Sequence, residues 1–142
     1  MLEAKNAIDD NIDSFAHTRM GRGHWWKANF TGGNRTVQKV VITNRQDCCG
    51  ERLKNTKVYI GREGRKPKLC GTLPSYTETK KTYTVTCAKN IVGDHVFISQ
   101  NTYTTALQLA TVKVFALDDC LIDEKLTGHK CTYKSGMVTG QM

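Results

Sequence analysis

Residues 42–53 read Ile-Thr-Asn-Arg-Gln-Asp-Cys-Cys-Gly-Glu-Arg-Leu, and this stretch is the most informative part of the chain. Its first two residues end an apolar, β-branched run over residues 37–43, a pattern typical of a well-buried strand. The residues that follow are polar and hold two adjacent cysteines between two arginines. We therefore expect a buried strand that leads into a loop of unusual chemistry.

Other segments on both sides of this stretch also have a period of two. Residues 57–61, 82–87 and 95–99 read as further strands, and turn residues such as Thr31-Gly32-Gly33-Asn34 separate the runs. Residues 107–114 form one long apolar segment whose phase slips near Ala110, as a β-bulge would cause. Because no long amphipathic helix is evident, these strands predict an all-β sandwich or jelly roll.

Length and composition limit the possible architectures. The chain has 142 residues, of which 39% are hydrophobic and 24% charged, enough for one core and unlike a disordered chain. No apolar run approaches the roughly 20 residues that cross a bilayer, and the N-terminus lacks the apolar region of a signal peptide. Residues 117–142 are polar and strand-poor, so we expect a domain over 1–116 and then a C-terminal tail or the start of another module.

Positive charge is concentrated in the first half of the chain. The formal net charge is +8, and residues 19–68 hold thirteen Lys and Arg against three acidic residues, a local net charge of +10. One interpretation is a solvated basic face. The alternative function is a basic module that binds polyanions, either sulfated glycans or nucleic acid.

The six cysteines suggest three disulfides and an oxidising compartment. They divide into pairs of neighbours along the chain: Cys48–Cys49, Cys70–Cys87 and Cys120–Cys131. The first bond would close a strained ring, because ordinary disulfides have Cα atoms about 5.5 Å apart. Pairing of Cys48 and Cys49 with other cysteines is the alternative. Zinc is disfavoured, since the chain has no Cys-x-x-Cys pair.

Charged side chains near the adjacent cysteines favour a ligand with hydroxyl groups or an anion. Arg45 and Arg52 offer forked donors that never lose their charge, and Asp47 can orient an arginine by a charge-assisted bond. His17 can supply both a donor and an acceptor. Taken singly, each of these residues is more typical of an ordinary surface.

The sequence resembles the F-type lectins, or fucolectins. The resemblance covers roughly residues 5–115 and includes 7–11, 25–27, 42–53 and 107–109. The family signature is a histidine followed at an interval by Arg-x-Asp-x4-Arg, which His17, Arg45, Asp47 and Arg52 match. It implies an all-β jelly-roll β-sandwich of the F-type lectin and galactose-binding-like kind, here expected to lack its N-terminal strand.

The resemblance also implies the ligand and the residue roles. His17 and Arg45 would bond the axial 4-hydroxyl of L-fucose, and Arg52 the ring oxygen and 3-hydroxyl. The Cys48–Cys49 disulfide would pack against the sugar ring. The expected protein is a secreted lectin that recognises terminal fucose on glycoconjugates in innate immunity or cell adhesion. We expect fucosylated glycans as partners, no membrane insertion and no nucleic acid.

A structural calcium ion belongs to the same resemblance. Four residues match its ligands near the N-terminus: Asn6, Asp9, Asn11 and Ser14. Ala110 and Thr111 stand where the family has Cys-Glu, so a carboxylate ligand is missing and the site should be weakened. The missing N-terminal strand should alter the pocket for the fucose methyl group, part of which Phe15 could fill.

Two further interpretations concern the aromatic pair and catalysis. Trp25 and Trp26 could stack on a sugar, but packing in the core and between the sheets is favoured. No Ser-His-Asp order, paired-carboxylate signature or zinc motif points to catalysis, so we expect no enzymatic activity.

Overall fold

The computed structural model describes residues 3–19, 23–100, 106–116 and 137–141, and this part of the chain is all-β. Two short 3-10 helices, Ala4–Ile8 and Gly50–Leu53, accompany the strands. The strands are β1 (Ala16–His17), β2 (His24–Phe30), β3 (Arg35–Thr43), β4 (Lys57–Gly61), β5 (Lys68–Thr72), β6 (Thr82–Gly93), β7 (His95–Gln100), β8 (Gln108–Leu109), β9 (Thr111–Ala116) and β10 (Met137–Gln141).

The strands form two antiparallel sheets packed as a sandwich, with a short extra pair. The larger sheet has the order β10-β2-β7-β4-β5 and the smaller one β6-β3-β9, while β1 pairs with β8. Alternate residues of the strands point into one core, and Trp26, Val40, Ile42, Ile60 and Ile98 are at most 1% exposed there. The prediction of an all-β sandwich is confirmed.

The predicted strands occur where the sequence pattern placed them, and some extend further. Residues 37–43, 57–61, 82–87 and 95–99 all lie within strands. The phase slip near Ala110 is a break between β8 and β9, where the Ala110 amide donates to the Thr43 carbonyl at 2.9 Å. The aromatic pair divides between the faces of β2: Trp26 is buried, whereas Trp25 is 37% exposed and stacks on Phe97. Core packing was therefore wrong for Trp25, because neighbouring strand residues face opposite sides.

Two of the three predicted disulfides form within the described residues. Cys48 bonds Cys49, and Cys70 bonds Cys87. The second bond joins β5 of the larger sheet to β6 of the smaller one, so it ties the two sheets together at one edge. The predicted Cys120–Cys131 pair lies outside the described residues.

The register of β3 defines the two ends of the sandwich. Its last residue, Thr43, pairs with Thr82 and Thr111, and its first, Arg35, pairs with Gly93. We name the end that carries residues 44–53 the loop end. The opposite end, with residues 62–67 and 88–94, is the distal end.

The last described segment adds an outer strand to the larger sheet. β10 pairs with β2, with Met137 opposite Phe30 and Gln141 opposite Lys27. The predicted boundary after residue 116 stays a prediction, because residues 117–136 lie outside the described part. Among the described residues, no helix has the length and apolar character needed to cross a bilayer.

Candidate functional site

A buried asparagine shapes the loop that follows β3. Asn44 is 1% exposed, and its Nδ2 donates to the carbonyls of Gly50 and Glu78, both at 2.9 Å. Its Oδ1 accepts from the backbone amide of Arg45 at 2.8 Å. Since buried polar groups are costly unless paired, these bonds favour one conformation of the loop. Asn44 therefore fixes where the residues after it project.

Gly50 lets this loop lie against the segment before β6. A Cβ on Gly50 would come 2.0 Å from the backbone nitrogen of Thr79, a distance that no side chain can occupy. The Gly50 amide donates to Thr79 Oγ1 at 3.0 Å, and its carbonyl accepts from Thr77 Oγ1 at 2.6 Å. The loop thus needs glycine at this position for a close backbone approach.

The Cys48–Cys49 disulfide lies at the turn between β3 and the second 3-10 helix. Both cysteines are half-buried, and Cys49 has a left-handed backbone with φ of 65°. The Cys49 carbonyl accepts from the Arg52 amide at 3.1 Å, which begins the helical turn. The turn therefore presents a compact sulfur surface beside Arg52.

Arg45 is held on three sides. Its Nε and Nη2 donate to the two carboxylate oxygens of Asp47 at 2.6 and 3.3 Å, and its Nη1 donates to Oε1 of Gln108 at 3.3 Å. The guanidinium carbon lies 4.2 Å from the centre of the Phe15 ring. The hydrogen bond from Arg45 keeps the pKa of Asp47 below its ordinary value. Asp47 is therefore charged at neutral pH and fixes the plane of the guanidinium.

His17 faces the same region from β1, where it pairs with Gln108 of β8. Its ring centre is 6.1 Å from that of Phe15. Burial lowers the pKa of His17 below 6.5, and the positive charges of Arg45 and Arg52 lower it further. At neutral pH the imidazole is uncharged, so it carries one donor and one acceptor.

Arg52 is positioned through its own backbone. Its carbonyl accepts from Nε2 of Gln100, which is 2% exposed and also lies 3.2 Å from Oγ1 of Thr56. The positive charge of Arg52 contributes to the lowered pKa of His17. The structure thus brings Arg45 and His17 together around Phe15 and Gln108, and it places Arg52 in the turn that follows the Cys48–Cys49 disulfide.

Three supporting glutamine and asparagine side chains were not predicted as site residues: Asn44, Gln100 and Gln108. Gln100 and Gln108 are polar residues at core-facing strand positions, which was the available signal. Gln108 is 1% exposed, and its Nε2 has no hydrogen-bond partner within the described residues. Its Oε1 must face Arg45, because a guanidinium only donates.

Oxygen atoms converge on Ser14 in the segment proposed for calcium. The Ser14 hydroxyl lies 2.6 Å from Oδ2 of Asp9, 3.0 Å from the Asn11 carbonyl and 3.4 Å from the Asn6 carbonyl. One hydroxyl proton cannot serve three acceptors, so this cluster suits a hard cation. Asp9 is the only carboxylate in it, and the described residues hold no group of three acidic, His or Cys side chains fit for a metal. The residues fit calcium in ligand type but supply little charge.

Comparisons with known proteins identify the family and the fold of this chain. A family model described as the NedA-like, galactose-binding domain matches residues 6–98. Fucolectin-4 from Anguilla japonica is 34% identical in an alignment that covers 82% of this chain and 69% of that protein. Fucolectin-6 from the same species is 33% identical in an alignment that covers 80% of this chain and 63% of that protein. The chain therefore spans less than two thirds of the length of that relative.

Solved structures of lectins share the fold at more than 25% identity. The fucolectin from striped bass (Morone saxatilis) serum has a TM-score of 0.70 and 26% identity, covering 80% of this chain and 42% of that one. The lectin domain of lectinolysin, solved with Lewis B antigen, has a TM-score of 0.66 and 27% identity, covering 80% and 83%.

Proposed function

This chain belongs to the F-type lectin (fucolectin) family, and on that premise we propose that it binds terminal L-fucose on glycoconjugates. The family makes it a carbohydrate-binding lectin domain. The observation that supports the choice of fucose is the packing of Arg45 and His17 against Phe15, with Arg52 in the turn that follows the Cys48–Cys49 disulfide. We further propose that the domain acts by binding alone, without catalysis.

Hydrogen-bond chemistry supports the assignment of the axial 4-hydroxyl to His17 and Arg45. A hydroxyl oxygen accepts from donors but must also place its own proton on an acceptor. Arg45 and Arg52 can only donate, and the Asp47 carboxylate already accepts from Arg45. Neutral His17 has one acceptor nitrogen, so we assign the hydroxyl proton to it. Arg52 would donate to the ring oxygen and the 3-hydroxyl.

Apolar contact would complete the recognition of the sugar. The two half-buried sulfurs at Cys48–Cys49 offer a flat surface without hydrogen-bonding groups, suited to the C–H face of a pyranose ring. Phe15 lies under the guanidinium of Arg45 and close to His17, next to the same pocket. We assign it to the wall that contacts the fucose methyl group.

Calcium and location are further parts of the proposal. Asn6, Asp9, Asn11 and Ser14 would hold one weakly bound structural calcium ion that stiffens the segment leading to Phe15 and His17.

Disulfides persist in oxidising compartments, which supports an extracellular location. A role in innate immune recognition or cell adhesion would follow from binding fucosylated surfaces.

A glycan array tests the fucose assignment. We expect binding to oligosaccharides that end in L-fucose and no binding to the matched glycans from which only fucose has been removed. Equal binding to both members of each pair, or no fucosylated ligand among those bound, would contradict the proposal.

A further inference from the structure

A second concave surface, which we name the distal cleft, lies between the two sheets at the distal end. It has a volume of about 600 Å³ and is bordered by the loop 62–67 and by residues 88–92 of β6. The vicinal disulfide and its arginines follow the opposite end of β3, so the two surfaces are separated by the length of the sandwich.

An irregularity in β6 forms one wall of the distal cleft. Val37 of β3 pairs with Ile91, but Lys39, only two residues on, pairs with Thr86. Residues 87–90 therefore bulge out of the ladder, and Ala88, Lys89 and Asn90 are exposed. The Cys70–Cys87 bond ties the base of the bulge to β5. The wall is thus a fixed part of the fold.

The rim of the cleft carries five cations: Arg62, Arg65, Lys66, Lys68 and Lys89. No acidic residue lines it, and the ion pairs found among the described residues include none of the five. The two acidic residues nearby line a separate hollow: Asp94 accepts from the Glu63 backbone amide at 3.0 Å and lies 2.6 Å from Nδ1 of His95, and Glu63 borders the same hollow. The cleft therefore has uncompensated positive charge that attracts anions.

The floor of the cleft is apolar and aliphatic. Ile60 and Ile91 lie beneath it, while Leu69 and Val92 are 50% and 45% exposed. Leu69 and Val92 are two of the five large hydrophobic residues exposed in the described part of the chain. A ligand must therefore combine anionic groups with a less polar framework.

We propose that the distal cleft binds a sulfated polysaccharide. Sulfate groups would pair with the rim cations, and the C–H faces of the sugar rings would cover Leu69 and Val92. Nucleic acid fits less well, because the cleft has no aromatic side chain on which a base could stack. A concave surface between two sheet edges also accepts a narrow chain better than a flat membrane.

Heparin oligosaccharide is the probe, and N- and O-desulfated heparin, which keeps its carboxylates but has no sulfate groups, is the control. The cleft variant is Arg65→Ala, Lys66→Ala, Lys89→Ala. The matched control is Lys54→Ala, Lys57→Ala, Lys113→Ala, which removes the same charge from exposed positions outside the cleft. We expect heparin affinity to fall about tenfold or more in the cleft variant, and its salt dependence to become shallower, with less than about a twofold change in the control.

Three results would overturn the proposal. They are equal losses in the cleft and control variants, equal affinity for desulfated heparin, and stronger binding of a single-stranded oligonucleotide of the same charge. Melting temperature checks that the variants fold, and the single exposed change Lys89→Glu repeats the test with one substitution. Fucose plays no part in these measurements, so they stand apart from the function proposed for the loop end.

Discussion

The carboxylate of Asp47 accepts two hydrogen bonds from the guanidinium of Arg45, from Nε at 2.6 Å and from Nη2 at 3.3 Å. A third bond, from Nη1 to Gln108, uses another of the five N–H donors. Two donors of Arg45 are left without a protein partner in the described residues. Their direction is set before any ligand arrives, which reduces the ordering cost of binding.

Neutralising Asp47 should weaken sugar binding without unfolding the protein. Asp47→Asn keeps one acceptor but loses the charge-assisted second bond, so Arg45 is held less firmly. We expect the Kd for L-fucose, measured by titration calorimetry, to rise about three- to tenfold.

Glu51→Gln supplies the matched control for Asp47→Asn. Glu51 is exposed in the same loop region, and its substitution removes an equal charge but leaves the Asp47–Arg45 hydrogen bonds in place. A rise in Kd of the same size in both variants would show that net charge, rather than the orientation of Arg45, sets the affinity.

Acidification should abolish sugar binding through His17. The pKa of His17 is lower in the folded protein than its ordinary value of 6.5 in the unfolded chain, so the unfolded chain binds this proton first as the pH falls. The free energy of unfolding therefore decreases as the pH drops below 6.5. Binding needs the neutral ring, so affinity is constant above pH 6.5. It should decrease about tenfold per pH unit once pH passes below the lowered pKa.

His17→Gln distinguishes this titration from general acid effects. Glutamine retains a donor and an acceptor but does not titrate in this range. We expect the Kd of this variant for L-fucose to be higher than that of the unaltered protein at pH 7.5 and to stay nearly constant down to pH 5. A pH profile unchanged from that of the unaltered protein would assign the titration to another group.

The vicinal disulfide should matter for binding more than for folding. In Cys48→Ser, Cys49→Ser, the Cys70–Cys87 bond still joins the two sheets, so the melting temperature should change little. Loss of the flat sulfur surface should raise the Kd for fucose about tenfold. Unchanged affinity would rule out contact between the disulfide and the sugar ring.

Calcium should stabilise the domain only at high concentration. With one carboxylate in the cluster, we expect a Kd of about 1 mM. At about 10 mM calcium this gives about 1.4 kcal/mol, or a rise in melting temperature of about 4 °C over protein in chelator. Asp9→Ala should remove the shift, and a shift that persists in that variant would place the ion elsewhere.

The local sequence pattern predicted the strands best where one face is buried. Where one face of a strand is buried, its alternate residues must be apolar, and this pattern marks the strand in the sequence. It does so for residues 37–43, 57–61 and 95–99. β5 was not predicted, because the alternation of buried and exposed residues is absent from it. Lys68 and Leu69 are both exposed, and a bulge at Cys70 interrupts the pairing with β4. Short pairs such as β1 with β8 depend on contacts distant in sequence.

The Cys48–Cys49 and Cys70–Cys87 bonds could be predicted from the order of the cysteines along the chain, but the side chains that support Arg45 and Arg52 could not. Gln100 and Gln108 act through backbone and side-chain contacts made 48 and 63 residues away along the chain, to Arg52 and Arg45. Only the folded sheets bring these groups together. The bulge that forms the distal cleft likewise depends on the pairing of β6 with β3.

Titration of L-fucose into the unaltered protein and into Arg45→Ala, Arg52→Ala tests the central claim most directly. The matched control is Arg65→Ala, Lys66→Ala, which removes two positive charges at the distal end. We expect the site variant to lose more than about 100-fold in affinity, since two hydrogen bonds from charged donors disappear, while the control retains the original Kd. Equal fucose affinity in all three proteins would contradict the account.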